Sequence, residues 1–247
     1  MNFCKINVLE MLKSLHNENE PLVWATTGLR EYNFEGADLS GIDLRWVNFE
    51  GANLSRANLR GANLVGANLY GAILSEVDLS EANLFGVNLG RAILCGANFS
   101  GANLLGAKMQ SVFLEQANLD GANLVKVCLW SANLKDANLC NADLRGSDLG
   151  GAKFTNANLT NAKLDGANLQ SADLTGANLR GASFEGAKLI FTILTEVNLD
   201  GSNLRWVDLT GADLRNAQLR RARLGKTNLS VANLEGVILD DTDSDRE

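Results

Sequence analysis

Nucleophiles and metal ligands are few in this 247-residue chain, and their spacing gives them little to act with. His16 is the single histidine, and the four cysteines stand far apart at Cys4, Cys95, Cys128 and Cys140. A Ser-His-Asp or Cys-His arrangement needs an imidazole within reach of its nucleophile. A zinc site or disulfide framework needs cysteines at patterned intervals. Neither pattern is present, so the sequence assigns no catalytic residue, no cofactor and no metal. Asp78, Asp143 and Asp148 could suggest acid/base work, and the 24 glycines a phosphate cradle. Both residue types, however, return at a fixed interval, so they report on the element that carries them before they report on any chemistry.

That interval is five. From Phe34 to Leu239 every fifth residue is a large apolar side chain: 36 Leu, five Phe (Phe34, Phe49, Phe99, Phe154, Phe184) and Met109, 42 in all. Two residues before this centre stands Ala in 28 cases, and one residue before it Asn or Asp in 29. Gly is favoured two residues after it, as at Gly36, Gly41, Gly51 and Gly61. A helix would turn successive centres by about 140° and leave no dry face. A continuous strand would alternate them between faces. Within one unit, Ala and Leu lie two apart and point the same way, while Gly, Asn and Asp suit a corner. The chain therefore coils around its own core, and Asp78, Asp143 and Asp148 fall in structural positions.

The unit Ala-Asn/Asp-Leu-x-Gly, as in Ala52-Asn53-Leu54 and Ala62-Asn63-Leu64-Val65-Gly66, resembles the pentapeptide-repeat family. The resemblance implies an all-β solenoid: a right-handed quadrilateral (square) β-helix with four units per coil, about 10.5 coils. It implies a protein that is mostly non-enzymatic, with regulators among the family's many cyanobacterial members. The division expected is residues 1–31 as an N-terminal cap, 32–241 as the repeat and 242–247 as an acidic tail. Ile6, Leu9 and Leu12 recur at helical spacing, predicting a short helix from about Ile6 to His16. With Pro21 and Trp24 it would cover the first coil. The C-terminal apolar helix through which many dimeric relatives pair is missing, so a monomer or weak dimer is expected.

With twenty residues per coil, the sequence becomes a surface map. One column reads Arg45, Val65, Phe85, Leu105, Val125, Arg145, and Arg45-Trp46-Val47 returns 160 residues later as Arg205-Trp206-Val207. This Val65–Val125 ridge, with Trp46 and its flanking arginines, is the first candidate for binding a partner. On another face Ile73, Ile93 and Phe113 replace the usual Asn or Asp in three successive coils, a second candidate ladder. A third candidate is basic: Arg205, Arg215, Arg220, Arg221, Arg223 and Lys226. Contiguous exposed apolar surface tends to mark protein contacts, although such ladders also stabilise stacking.

The net charge of −7 is unevenly placed. Residues 235–247 hold one basic and six acidic groups, whereas residues 32–234 hold 18 basic and 19 acidic. A near-neutral coat offers nothing to nucleic acid directly. It also weakens the alternative of a DNA mimic that binds or protects a type II topoisomerase such as gyrase. A rod about 50 Å long would have to imitate roughly thirty phosphates. No run approaches eighteen uncharged apolar residues, and the first thirty lack a basic and then apolar leader pattern. The expectation is a cytoplasmic, bacterial scaffold that acts through a protein partner.

Overall fold

The computed structural model describes residues 29–240. The helix expected over Ile6–His16, with Pro21, Trp24 and the tail beyond Asp240, lies outside the described residues. Within them the chain is a four-sided coil closed by parallel bridges between residues twenty apart. The bridges run unbroken from Asn33↔Asn53 to Gln218↔Ile238. No side is long enough to count as a strand. Each contributes one bridged residue, the one before the centre, and then turns.

The five-residue unit can be accounted for amide by amide, as buried or turning backbone requires. In the unit of Leu54, Asn53 N–H donates to the coil below, to the carbonyl of Tyr32, at 2.9 Å. Leu54 and Arg56 N–H donate to the coil above, to Ile73 and Ser75, at 2.7 and 2.9 Å. Ala57 N–H closes the corner on the carbonyl of Leu54 at 3.0 Å. The fifth amide, that of Ser55, has no carbonyl to meet. It donates instead to Asn53 Oδ1, at 3.1 Å. The same turn recurs from Asn33 with Glu35 to Asn233 with Glu235. The Asn/Asp preference before the centre thus follows from one amide per unit that the ladder cannot satisfy. Asparagine adds a donor: its Nδ2 reaches the side chain one coil below, as in the column Asp78–Asn98–Asn118–Asn138–Asn158, at 3.0–3.3 Å.

The second corner residue adopts positive φ in every unit, 51° to 71°, as a type II turn demands. Inside, Leu and Ala stack in four dry columns, fully buried from Phe49 to Leu214. Core hydroxyls are tied to the backbone: Ser147 donates to Leu144, Thr192 to Leu169 and Thr227 to Leu204, at 2.6–2.9 Å. Ser202 is the exception. Its buried hydroxyl has no partner among the described residues. At the C-terminal end the columns open, and Leu234 and Leu239 are exposed.

Candidate interaction faces

Because the coat is read in columns of twenty, every candidate can be placed on one of four faces. The face of Leu44 and Leu64 carries the Val65–Phe85–Leu105–Val125 ridge. Phe85 is exposed and the other three are half-buried. Their units keep the ordinary turn, since Asn63, Asn83, Asn103 and Asn123 each accept the ridge residue's own amide. The arginines at its ends are engaged. Arg45 lies bidentate on Asp43, at 2.6 and 2.9 Å, and Arg145 on Asp143, at 2.6 and 2.8 Å. The guanidinium holds the Asp143 carboxyl below its ordinary range. The ridge is thus bounded by two neutralised pairs. Trp46, 63% exposed, leans over the next coil, where a Cβ on Gly66 would come within 2.1 Å of the indole. Only glycine fits beneath it.

The ladder on the face of Leu74 is built differently. Ile73, Ile93 and Phe113 are 40%, 39% and 46% exposed, and they bridge one another in sequence, Ile73↔Ile93 and Ile93↔Phe113. Each occupies the position that elsewhere supplies the turn acceptor. The amides of Ser75 and Cys95 therefore meet no acceptor on another residue among the described residues, while that of Glu115 is directed at the Cys95 sulfur. Two other units lacking Asn or Asp find a substitute: Asp165 accepts from Glu185 N–H and Asp200 from Arg220 N–H, both at 2.9 Å. Around the corner stand Tyr70, beneath the guanidinium of Arg91 at 5.9 Å, and the exposed Trp130.

The basic group read as one patch is divided. Arg215 is bidentate on Asp213, which it holds below its usual range, and Arg220 faces Asp200 and Asp240 at 3.6 and 3.7 Å. These lie on other sides of the coil from Arg205, Arg223 and Lys226, which share the face of Trp206. There the ammonium of Lys226 sits 4.3 Å from the indole centroid. Arg205, Arg221 and Arg223 make no ion pair among the described residues.

Nucleophilic chemistry finds no support in this geometry. Cys95, Cys128 and Cys140 lie on three different faces. Burial pushes the Cys95 thiol up, and Glu115 Oε2, accepting its proton at 3.2 Å, adds to this. A thiol held protonated is a poor nucleophile. Among the described residues no three His, Cys, Asp or Glu side chains converge on a metal position, and no helix is long and apolar enough to cross a membrane. Sequence reading found the columns but missed the pairing within them. The Asp two residues before Arg45 and Arg145, and the glycine twenty after Trp46, were the available signs.

A pentapeptide-repeat family model matches the chain over residues 29–64, 62–101, 97–130, 132–170, 167–205 and 202–241. Among solved structures the chain is similar to HetL, a pentapeptide repeat protein involved in heterocyst differentiation regulation from the cyanobacterium Nostoc sp. strain PCC 7120. The identity is 31% over 85% of this chain and 86% of that one, with a TM-score of 0.34. It is also similar to Rfr23 from the cyanobacterium Cyanothece 51142, at 31% identity over 52% and 88%, TM-score 0.32. Full-length QnrB1, a plasmid-mediated fluoroquinolone resistance protein, shares 16% over 87% and 94%, TM-score 0.47. No curated protein matches the sequence.

Proposed function

The chain belongs to the pentapeptide-repeat family, and on that premise we propose that it is a non-enzymatic scaffold whose repeat coat recruits a protein partner. A regulatory role is the form of action this reading favours. The observation that carries it is the Ile73–Ile93–Phe113 ladder. In three successive coils this face gives up the Asn or Asp that most units use as turn acceptor and exposes a large apolar side chain instead. A departure from local consistency without structural return is the mark of a working surface. The Val65–Val125 ridge is a second apolar stripe on the opposite side of the coil, bounded by neutral Arg–Asp pairs. A DNA mimic would need a row of uncompensated carboxylates, whereas Asp43, Asp143 and Asp213 each hold a guanidinium.

The test restores the repeat. In the triple variant Ile73→Asn, Ile93→Asn, Phe113→Asn each lost turn acceptor returns, so unfolding should need at least as much urea as in the wild type. Capture of the native partner should fall by tenfold or more, while a control on the polar face, Asp120→Ser, should capture normally. If the triple variant is destabilised and binds undiminished, the ladder is a stacking device and the reading fails. Phe85→Ser with Leu105→Ser asks the same of the ridge. A supercoiling assay with gyrase and a fluoroquinolone separates the mimic: protection by the added protein would replace the scaffold reading.

A further inference from the structure

The face of Leu44 and Leu64 has nearly the same order of residues from either end of its ridge. In the column after the centre, Arg45, Val65 and Phe85 are answered in reverse by Arg145, Val125 and Leu105. In the column before the centre, Asp43 and Asp143 enclose Asn63, Asn83, Asn103 and Asn123. The mirror point lies between the coils of Leu84 and Leu104. Beyond Arg145 the order ends, because Asp165 and Glu185 follow in its column. A surface of this kind is its own complement. A two-fold axis laid across the coil at the mirror point runs two rods antiparallel and sets each row against its mirror row. Phe85 then meets the partner's Leu105, and Val65 the partner's Val125.

The corner column beside the ridge fits the same axis. Gly86 and Gly106, on either side of the mirror point, have nothing within 4 Å of where a Cβ would be, so a second rod can approach closely. Further out, Trp46 leans over Gly66, whose mirror row is that of Lys126. Lys126 leans in turn over Gly146, the mirror row of Trp46, with its Cγ 3.8 Å from where a Cβ would be. Indole and lysine would thus cross in one space, each over the other's glycine. Among the charged groups of this block, only Lys126 makes no ion pair among the described residues. The chain already shows the combination in this same column, where the ammonium of Lys226 lies 4.3 Å from the Trp206 centroid, a favourable cation–π contact. The Arg45–Asp43 and Arg145–Asp143 pairs that close the two ends are neutral, so neither end repels its mirror.

We propose that this face docks a second copy of the chain. Two rods pair antiparallel, ridge to ridge, with Trp46 of each against the partner's Lys126. The block is about 24 Å long and one side of the coil about 10 Å wide. That is a few hundred Å² per copy, below the roughly 800 Å² of a stable dimer, so the pairing is reversible. The Ile73–Ile93–Phe113 ladder lies on the opposite face and stays open, so this inference does not depend on what the ladder binds.

Sedimentation equilibrium of the full chain should show a dimer forming between about 10 µM and about 1 mM. Phe85→Glu alone and Leu105→Lys alone should each associate at least about tenfold more weakly, with unchanged circular dichroism, since each buries an unpaired charge. Their equimolar mixture should associate more tightly than either variant. Only the mixed pair sets the new carboxylate against the new ammonium on one side of the axis and keeps Phe85 against the partner's Leu105 on the other. Lys126→Gln should weaken the dimer about threefold through loss of the cation–π contact. The triple ladder variant should associate like the wild type. A wild type that stays monomeric at 1 mM overturns the proposal, as does a mixture no tighter than its components. A dimer lost in the ladder variant would also overturn it, because the contact would then lie on the opposite face.

Discussion

The triplet Arg-Trp-Val occurs twice on one face, at Arg45-Trp46-Val47 and Arg205-Trp206-Val207, eight coils or about 38 Å apart. The triplets are identical, yet their chemistry is opposite. In the first copy Asp43 locks the guanidinium and Trp46 lies over bare Gly66. In the second, Asn203 stands in place of the aspartate, Arg205 carries no ion pair among the described residues, and Trp206 receives the ammonium of Lys226. One copy is neutral and apolar, the other cationic. In a solenoid the surroundings of a side chain are written by the residues two before and twenty away, and a local motif does not define a local function.

The contrast should be confined to the coat. Val47 and Val207 are equally buried, as are Leu44 and Leu204. Leu44→Ala and Leu204→Ala should therefore each cost about 2–5 kcal/mol in urea unfolding, and by similar amounts. A difference above about 2 kcal/mol would carry the asymmetry into the core and break the comparison.

One asymmetry does reach inward. The residue two before the centre is Ile42 in the first copy and Ser202 in the second, and the Ser202 hydroxyl is buried without a partner. Leaving a buried hydroxyl unsatisfied costs about 1–3 kcal/mol, so Ser202→Ala should stabilise the protein by an amount within that range. Ile42→Ser should do the reverse and more, since it also empties apolar volume. If Ser202→Ala destabilises, a hydrogen bond must exist that the second copy was taken to lack.

How much of this the sequence discloses depends on the distance over which each interaction is written. The Leu and Ala columns, the corners and the twenty-residue map follow from periodicity, because burial repeats with the chain. The Asn/Asp column was legible as structure, although its reason, one unsatisfied amide per unit, needed the hydrogen bonds of the ladder. The basic group near the end was read as one patch because its members are close in sequence. A coil sends Arg215, Arg220 and Arg223 to successive faces, and carboxylates outside the interval, Asp200 and Asp240, take part of the charge. The ridge arginines looked like open cations for a similar reason. Nothing in Asp43-Leu44-Arg45 states that an extended backbone places those two side chains side by side.

The smallest effect is the most direct conversion of one chemistry into the other. Asp143→Asn rebuilds at Arg145 the arrangement of Asn203 and Arg205. Asn203 Oδ1 accepts its turn amide at 3.2 Å, as Asp143 Oδ1 does, so the corner should survive. What is lost is an exposed ion pair, worth at most about 1 kcal/mol. The pH dependence separates that loss from any general damage. Arg145 holds the folded Asp143 carboxyl below its usual value, so its contribution is present above the unfolded value of about 3.9 and fades as pH falls through the lower folded one. Wild type should exceed the variant slightly at pH 7, and the gap should close between about pH 4 and the lowest pH at which the rod stays folded. A gap that stays constant with pH would mean that the carboxylate shapes the turn rather than neutralising the arginine. The distinction between the two ends of this face would then be one of backbone and not of charge.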